Sequence, residues 1–189
     1  MITRREIAVG LYAAWRMFLR DPKAIELFDG TPAGTIKSFF CAAIVLPGYG
    51  LILGFSPAIE GSEAGLFELI LVNASAYVAG WAAWPLAMHY IAPAIHRDDA
   101  YCRYIAAYNW ASGHYILIVL VMYLPMMLGL VPPQFLVLLN LVAMMIMLFY
   151  HLFVVRVALR IRPLGAIAIV IAEYFLGDFI LTLRHAALV

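Results

Sequence analysis

The sequence predicts an all-α integral membrane protein: five transmembrane helices preceded by an N-terminal amphipathic helix at the membrane interface. Composition is the first reason. Of 189 residues, 66% are hydrophobic and only 12% are charged, whereas a soluble domain is roughly half apolar and a quarter charged. So few charges cannot cover a water-exposed surface. The second reason is spacing. Apolar runs of about the ~20 residues needed to cross a bilayer alternate with short polar turns. They cover Thr35–Phe55, Leu66–Ile91, Tyr104–Leu128, Gln134–Val155 and Leu164–Leu183. The third reason is the placement of Lys and Arg. Six precede or border the first run, two lie between the second and third, and three lie between the fourth and fifth. The other two turns have none, and the C-terminal tail has Arg184. Eleven on one side against one on the other sets the N-terminus in the cytoplasm and the C-terminus outside. The net charge of +1 gives no ground for a nucleic-acid partner.

The chain divides into a cytoplasmic or interfacial segment, residues 1–30, and a five-helix domain, residues 31–189. In the first, Arg4 to Arg20 reads as a helix. Ile7, Leu11, Trp15 and Phe18 recur at helical spacing, and Arg5, Arg16 and Arg20 cluster on another side. An apolar face with Trp beside a basic face suits the headgroup boundary of an anionic leaflet. Arg5, Trp15, Arg16, Phe18 and Arg20 are thus the lipid-surface candidates. The alternative is a helix packed on the bundle. Asp21-Pro22 and Thr31-Pro32 each read as an N-cap followed by Pro at the first helical position.

The first span contains Leu46-Pro47-Gly48-Tyr49-Gly50. Pro47 removes a backbone hydrogen bond and Gly48 and Gly50 weaken the helix around it. The stretch predicts a helix break there, either a packed kink or an interruption lining a cavity. Gly-Tyr-Gly without a preceding Thr-Val does not make a potassium filter. The second span carries Asn73, Tyr77, Gly80 and Trp84 on one stripe and Ala76, Gly80, Ala83 and Ala87 on another. Small residues let helices approach closely, and Asn73 is expected to bond across such an interface. Pro85 is expected to kink this span. His89 and His96 fall near its inner end and read as solvated or capping.

The third span opens with Arg103 and several Tyr, then carries Asn109, Ser112 and His114 into apolar surroundings. Polar groups in lipid need partners, so this span is expected to face other helices. The fourth holds Asn140 toward the outside and His151 toward the cytoplasm. The fifth holds Glu173 and Asp178, the costliest residues in the domain. Glu173 lies ten residues past Pro163, ~15 Å into a ~30 Å core. His114 lies eleven past Arg103, at similar depth, and is the first candidate partner for Glu173. Asn140 and Asp178 are expected to meet nearer the outer surface. Glu173, Asp178, His114, Asn109, Asn140 and Asn73 are the buried polar or ion-linked candidates. Cys41 and Cys102 have no metal-like spacing and read as packing residues. No motif implies a metal or cofactor.

The topology, the run "AAYNWASGHY" at Ala106–Tyr115 and the run "YLPMMLGLVPP" at Tyr123–Pro133, followed by two further spans, resemble the Yip family. Its eukaryotic members interact with Ypt/Rab GTPases. The family's Asp-Leu-Tyr-Gly-Pro motif is absent, and Phe28-Asp-Gly-Thr-Pro32 does not match it, so no GTPase-binding residue is carried over. The prokaryotic type of this resemblance implies a bacterial cytoplasmic (inner) membrane and a five-helix fold, and no settled activity.

Three functions follow as expectations. The first is a non-enzymatic membrane protein that organises or assembles with other membrane-protein subunits or with itself. The second is a small transporter or ion-translocating subunit with a buried Glu173 site. The third, an intramembrane enzyme, has only scattered His and carboxylates in its favour. The orientation is checked by cysteine labelling of intact cells. Cysteines placed at Ser62 and Val189 are expected to react from outside and one at Thr3 is not; outside labelling at Thr3 inverts the topology.

Overall fold

The computed structural model describes residues 2–54 and 64–188. These form α1 over Arg4–Phe18, a short 3-10 segment over Pro22–Leu27, α2 over Pro32–Ser38, α3 over Phe40–Gly54, α4 over Leu66–Ala94, α5 over Tyr101–Met127, α6 over Leu136–Leu159 and α7 over Pro163–Ala186. Five stretches are long and apolar enough to cross a membrane: α2 with α3, then α4, α5, α6 and α7. The five-span integral membrane architecture is the one the sequence predicts. The turn with Glu60, Ser62 and Glu63, and the last residue Val189, lie outside the described residues.

Local chemistry sets the helix ends. Thr3 caps α1, accepting from the Glu6 backbone N–H at 3.2 Å, while the Glu6 carboxylate accepts from the Thr3 N–H at 2.6 Å. This is a reciprocal capping box. Glu6 also meets Lys37 Nζ at 2.6 Å, and that ammonium, with the Thr3 N–H, lowers the Glu6 carboxyl to about 2. Any stability this contact contributes is therefore present above the ordinary value of 4.5 and is lost as pH falls through about 2. Asp21 and Thr31 cap the next two segments, each followed by Pro at the first helical position. At the same end of the bundle, Arg20, His96 and Arg160 take left-handed backbone angles, φ 65°, 56° and 51°. Each stops a helix with a basic side chain beside the negative end of its dipole. His96 is thus a capping residue.

The first span breaks, but not at Pro47, Gly48 and Gly50. The helix runs unbroken from Phe40 to Gly54 and the interruption is a turn at Phe39. Proline leaves carbonyls one turn back without their helical donors. Here the carbonyl that loses its donor is that of Ala43, and the Tyr77 hydroxyl of α4 donates to the adjacent Ala42 carbonyl at 2.7 Å. Neighbouring helices supply such donors within a bilayer, which lets a proline stay inside a helix. Likewise α4 is continuous through Pro85, whose carbonyl accepts from the Tyr101 hydroxyl at 3.1 Å.

Four of the five spans, α4 to α7, close a ring, and the fifth, α3, packs on α5. α5 packs on α3 and α6, α6 on α7, α7 on α4, and α4 returns to α5. Around one end, α1, the 3-10 segment and α2 form a collar, with α1 and α2 both lying against α5. Ala13, Ala14 and Met17 of α1 are fully buried in the same core as Tyr104, Ile105 and Ala107 of α5 and Leu159 of α6. The opposite end presents apolar side chains outward, among them Leu66 and Phe67 at 75% and 79% exposure. This suits a lipid boundary. α4, at 29 residues, is ~43 Å long and exceeds a ~30 Å core.

The N-terminal helix corrects the expectation of an apolar face set against a basic one. Its buried stripe is small, Gly10 with Ala13, Ala14 and Met17. Ile7, Leu11 and Phe18 pack against that core, while Tyr12, Trp15 and Leu19 are exposed. The arginines hold the collar together. Arg16 pairs with Asp21 and donates to the Tyr12 hydroxyl at 2.5 Å. Arg20 donates to the Phe149 carbonyl of α6 at 2.6 Å and lies over the Phe153 ring. Arg5 is exposed.

α5 reaches its neighbours through glycine. A Cβ on Gly113 would sit 2.1 Å from Cys41 Sγ of α3, and one on Gly10 would sit 2.3 Å from the Trp110 ring. Gly113→Ala is expected to cost about 1–3 kcal/mol through overpacking, read as a lower midpoint of thermal unfolding in detergent. Adding Cys41→Ala removes the clashing sulfur and is expected to recover most of the loss. No recovery would mean that the contact is not the cause.

Candidate functional site

α5 is the spine on which the polar groups of the interior are arranged. Asn109 is fully buried and donates from Nδ2 to Ser38 Oγ at 2.8 Å. Ser38 in turn donates to the Thr35 carbonyl at 2.6 Å, and Thr35 donates to the Cys102 carbonyl at 3.0 Å. This chain ties the first span to α5, and it confirms that α5 faces other helices. Nearby, the Trp84 indole N–H of α4 donates to the Tyr104 hydroxyl at 2.7 Å.

Glu173 does find a histidine, but it is His151 rather than His114. His151 Nδ1 and Glu173 Oε1 are 2.6 Å apart, with the residues 4% and 8% exposed. In its neutral form the pair is either an imidazolium donating to a carboxylate or a carboxylic acid donating to an imidazole. Both arrangements spare the several kcal/mol that a lone buried carboxylate costs. His114 lies at the same level but points elsewhere. Its ring packs edge-on to Tyr150 at 5.9 Å, with Trp15 and Phe18 of α1 at 5.7 and 5.5 Å. Tyr150 and His151 are consecutive on α6, about 100° apart around its axis. The depth count was therefore right and the direction was wrong.

The signal for the correct partner was in the chain. α6 and α7 are joined by a turn of three residues, Arg160–Arg162, so they form an antiparallel hairpin. His151 and Glu173 each lie eleven residues from Arg162. Residues equidistant from a tight turn come level on adjacent helices, which places His151 opposite Glu173 without reference to any other span.

Beside the pair lies a cavity of about 390 Å³ to which all five spans contribute. Such a volume falls within the roughly 300–1,000 Å³ typical of ligand pockets. Tyr49 comes from α3; Tyr77, Trp81 and Trp84 from α4; Tyr108 and Tyr115 from α5; His151 from α6; and Glu173, Tyr174 and Asp178 from α7. The Tyr49 and Tyr77 rings lie tilted at 42° with centroids 4.7 Å apart, and Trp81 stands edge-on to Tyr77 at 6.2 Å, a continuous aromatic wall. The Tyr108 ring packs on His151 at 5.4 Å. His151 Nε2, Glu173 Oε2 and Ser112 Oγ are buried without a hydrogen-bond partner among the described residues.

The remaining candidates scatter. Asn140 accepts from the Tyr123 hydroxyl and does not meet Asp178, which is exposed at the cavity. Asn73 donates from Nδ2 to the Leu69 carbonyl of its own helix at 2.7 Å, rather than across an interface. Ala76, Gly80 and Ala83 do not make a close helix contact; they line the cavity, and a Cβ on Gly80 would meet nothing within 4 Å. Both cysteines are free, with Cys41 buried against Gly113.

Comparison with protein-family models, characterised proteins and solved structures returns no match. Function is therefore argued from the site.

His151→Leu strands a buried carboxyl and is expected to cost roughly 3–5 kcal/mol, whereas the double change to Leu at His151 and Glu173 is expected to return close to the parent. His114→Phe keeps the aromatic packing and is expected to change stability by less than ~1.5 kcal/mol. Thermal unfolding of the purified protein checks all three; a His114→Phe loss equal to that of His151→Leu would contradict the pairing.

Proposed function

We propose that this chain is a small membrane transporter that binds a solute in the cavity between its five spans, with His151 and Glu173 as the polar part of the site. One observation carries the reading. A buried histidine–glutamate pair forms part of a ligand-sized cavity and leaves one ring nitrogen and one carboxyl oxygen unpartnered. An ionisable pair kept for packing alone gains from having its remaining atoms satisfied, because unmatched buried polar groups cost about 1–3 kcal/mol each. Two such atoms on residues that line a cavity fit a role in holding a ligand or passing a proton. The bias of Lys and Arg supports an orientation with the N-terminus and collar in the cytoplasm.

The other reading, a non-enzymatic protein that organises or assembles with membrane proteins, is the one the Yip resemblance implies. Its sequence support is the lack of a catalytic constellation, the interfacial N-terminal helix and the small-residue stripe of the second span. In the fold, Ala76, Gly80 and Ala83 of that stripe border the cavity, so the stripe favours the transporter reading instead.

The test is gentle purification followed by mass spectrometry of everything released on denaturation. A small solute at near-stoichiometric level is expected, and Glu173→Gln is expected to reduce it by roughly ten- to hundredfold, the worth of a charged hydrogen bond. A stoichiometric protein partner with no retained solute would favour assembly.

A further inference from the structure

Granted the transporter reading above, we infer that the cavity takes an organic cation, an amine or quaternary ammonium of about choline size. Three features of the cavity point to this class.

The first is charge. Glu173 and Asp178 both line the cavity, and no Lys or Arg is among its described lining residues. The His151–Glu173 pair is net neutral in either proton arrangement, so the remaining formal charge on the wall is that of Asp178, which is negative. The second is the aromatic wall. Seven Tyr and Trp side chains line the cavity, and the negative face of an aromatic ring attracts a cation, most strongly for Trp and where water is excluded. The polar ends of two of these rings are already engaged. The Tyr77 hydroxyl donates to the Ala42 carbonyl and the Trp84 indole N–H to Tyr104. What they offer a ligand is ring surface rather than a hydrogen bond. The third is the unpartnered Glu173 Oε2, on a side chain more than nine-tenths buried. A buried carboxyl oxygen without a donor, on a residue lining an apolar, aromatic space, gains most from a positive charge.

A sugar or other polyol is a poorer fit. It needs many paired donors and acceptors, and the lining beyond the aromatics is mostly Ala, Gly, Ile, Leu and Met. An anion meets Asp178, with no Lys or Arg among the described lining residues to attract it.

The test uses the full-length protein in detergent, with the fluorescence of the cavity tryptophans Trp81 and Trp84 as readout. Choline is titrated against neohexyl alcohol, its uncharged isostere with carbon in place of nitrogen, and against the tert-butylacetate anion. Choline is expected to bind at least roughly tenfold more tightly than the alcohol, with no binding of the anion. Asp178→Asn, at an exposed position, and Glu173→Gln are each expected to weaken choline and leave the alcohol unchanged. Trp81→Leu, read through the remaining cavity tryptophan, is expected to weaken choline as well. If the alcohol binds as tightly as choline, or the anion binds, the cation assignment fails while the cavity stands as a binding site. If none of the three binds and the purified protein retains no solute, both this assignment and the transporter reading fail.

Discussion

The fold depends on how closely α5 can be approached. Five helices lie against it, α1, α2, α3, α4 and α6, and a helix with large side chains all round would hold them too far apart for their polar groups to meet. Gly113 admits Cys41, and Gly10 of α1 admits the Trp110 ring. Ala106, Ala107 and Ala111 are buried along the same helix. Close approach brings Asn109 within 2.8 Å of Ser38 and Thr35 within 3.0 Å of the Cys102 carbonyl. In lipid there is little hydrophobic force between helices, so packing and such bonds carry the association. A single added methyl at Gly113 therefore acts on the first span as a whole.

A second constraint is that polar atoms inside the ring have no water to fall back on. The chain meets this in two ways. Backbone carbonyls near Pro47 and Pro85 accept from tyrosine hydroxyls of neighbouring spans. Two buried ionisable groups answer one another, His151 and Glu173. The first kind ties span to span and reads as structural. The second is half satisfied, and the unsatisfied half lies at the cavity.

Much of the fold was legible in the sequence because membrane spans are long and their chemistry is repetitive. Length and apolar content placed the five spans, and Asp21-Pro22 and Thr31-Pro32 placed two helix starts. The burial of α5 followed from Asn109 lying in an apolar run. What failed was direction. Depth along a helix can be counted at ~1.5 Å per residue, but which way a side chain points depends on which helices are neighbours. His114 and His151 reach the same level, and only the ring order separates the one that meets Glu173. The Pro47 break failed for a related reason: whether a proline breaks a helix depends on what other spans pack against that turn, here Tyr77, far away in sequence.

The same limit explains the cavity. Gly113 and Gly80 are both glycines within long apolar helices, and local sequence gives them the same meaning, a place for close approach. At Gly113 a Cβ would collide with Cys41, whereas at Gly80 it would meet open space. The difference is set by what stands opposite. Cys41 is small enough to enter the groove at Gly113. Across from Gly80 the ring is propped by Tyr49, Tyr108, Tyr115 and Tyr174, whose bulk holds the helices apart. Small residues on one wall and large aromatics on the others leave a volume that neither fills. That volume lies at the level where the hairpin of α6 and α7 presents its one buried acid–base pair.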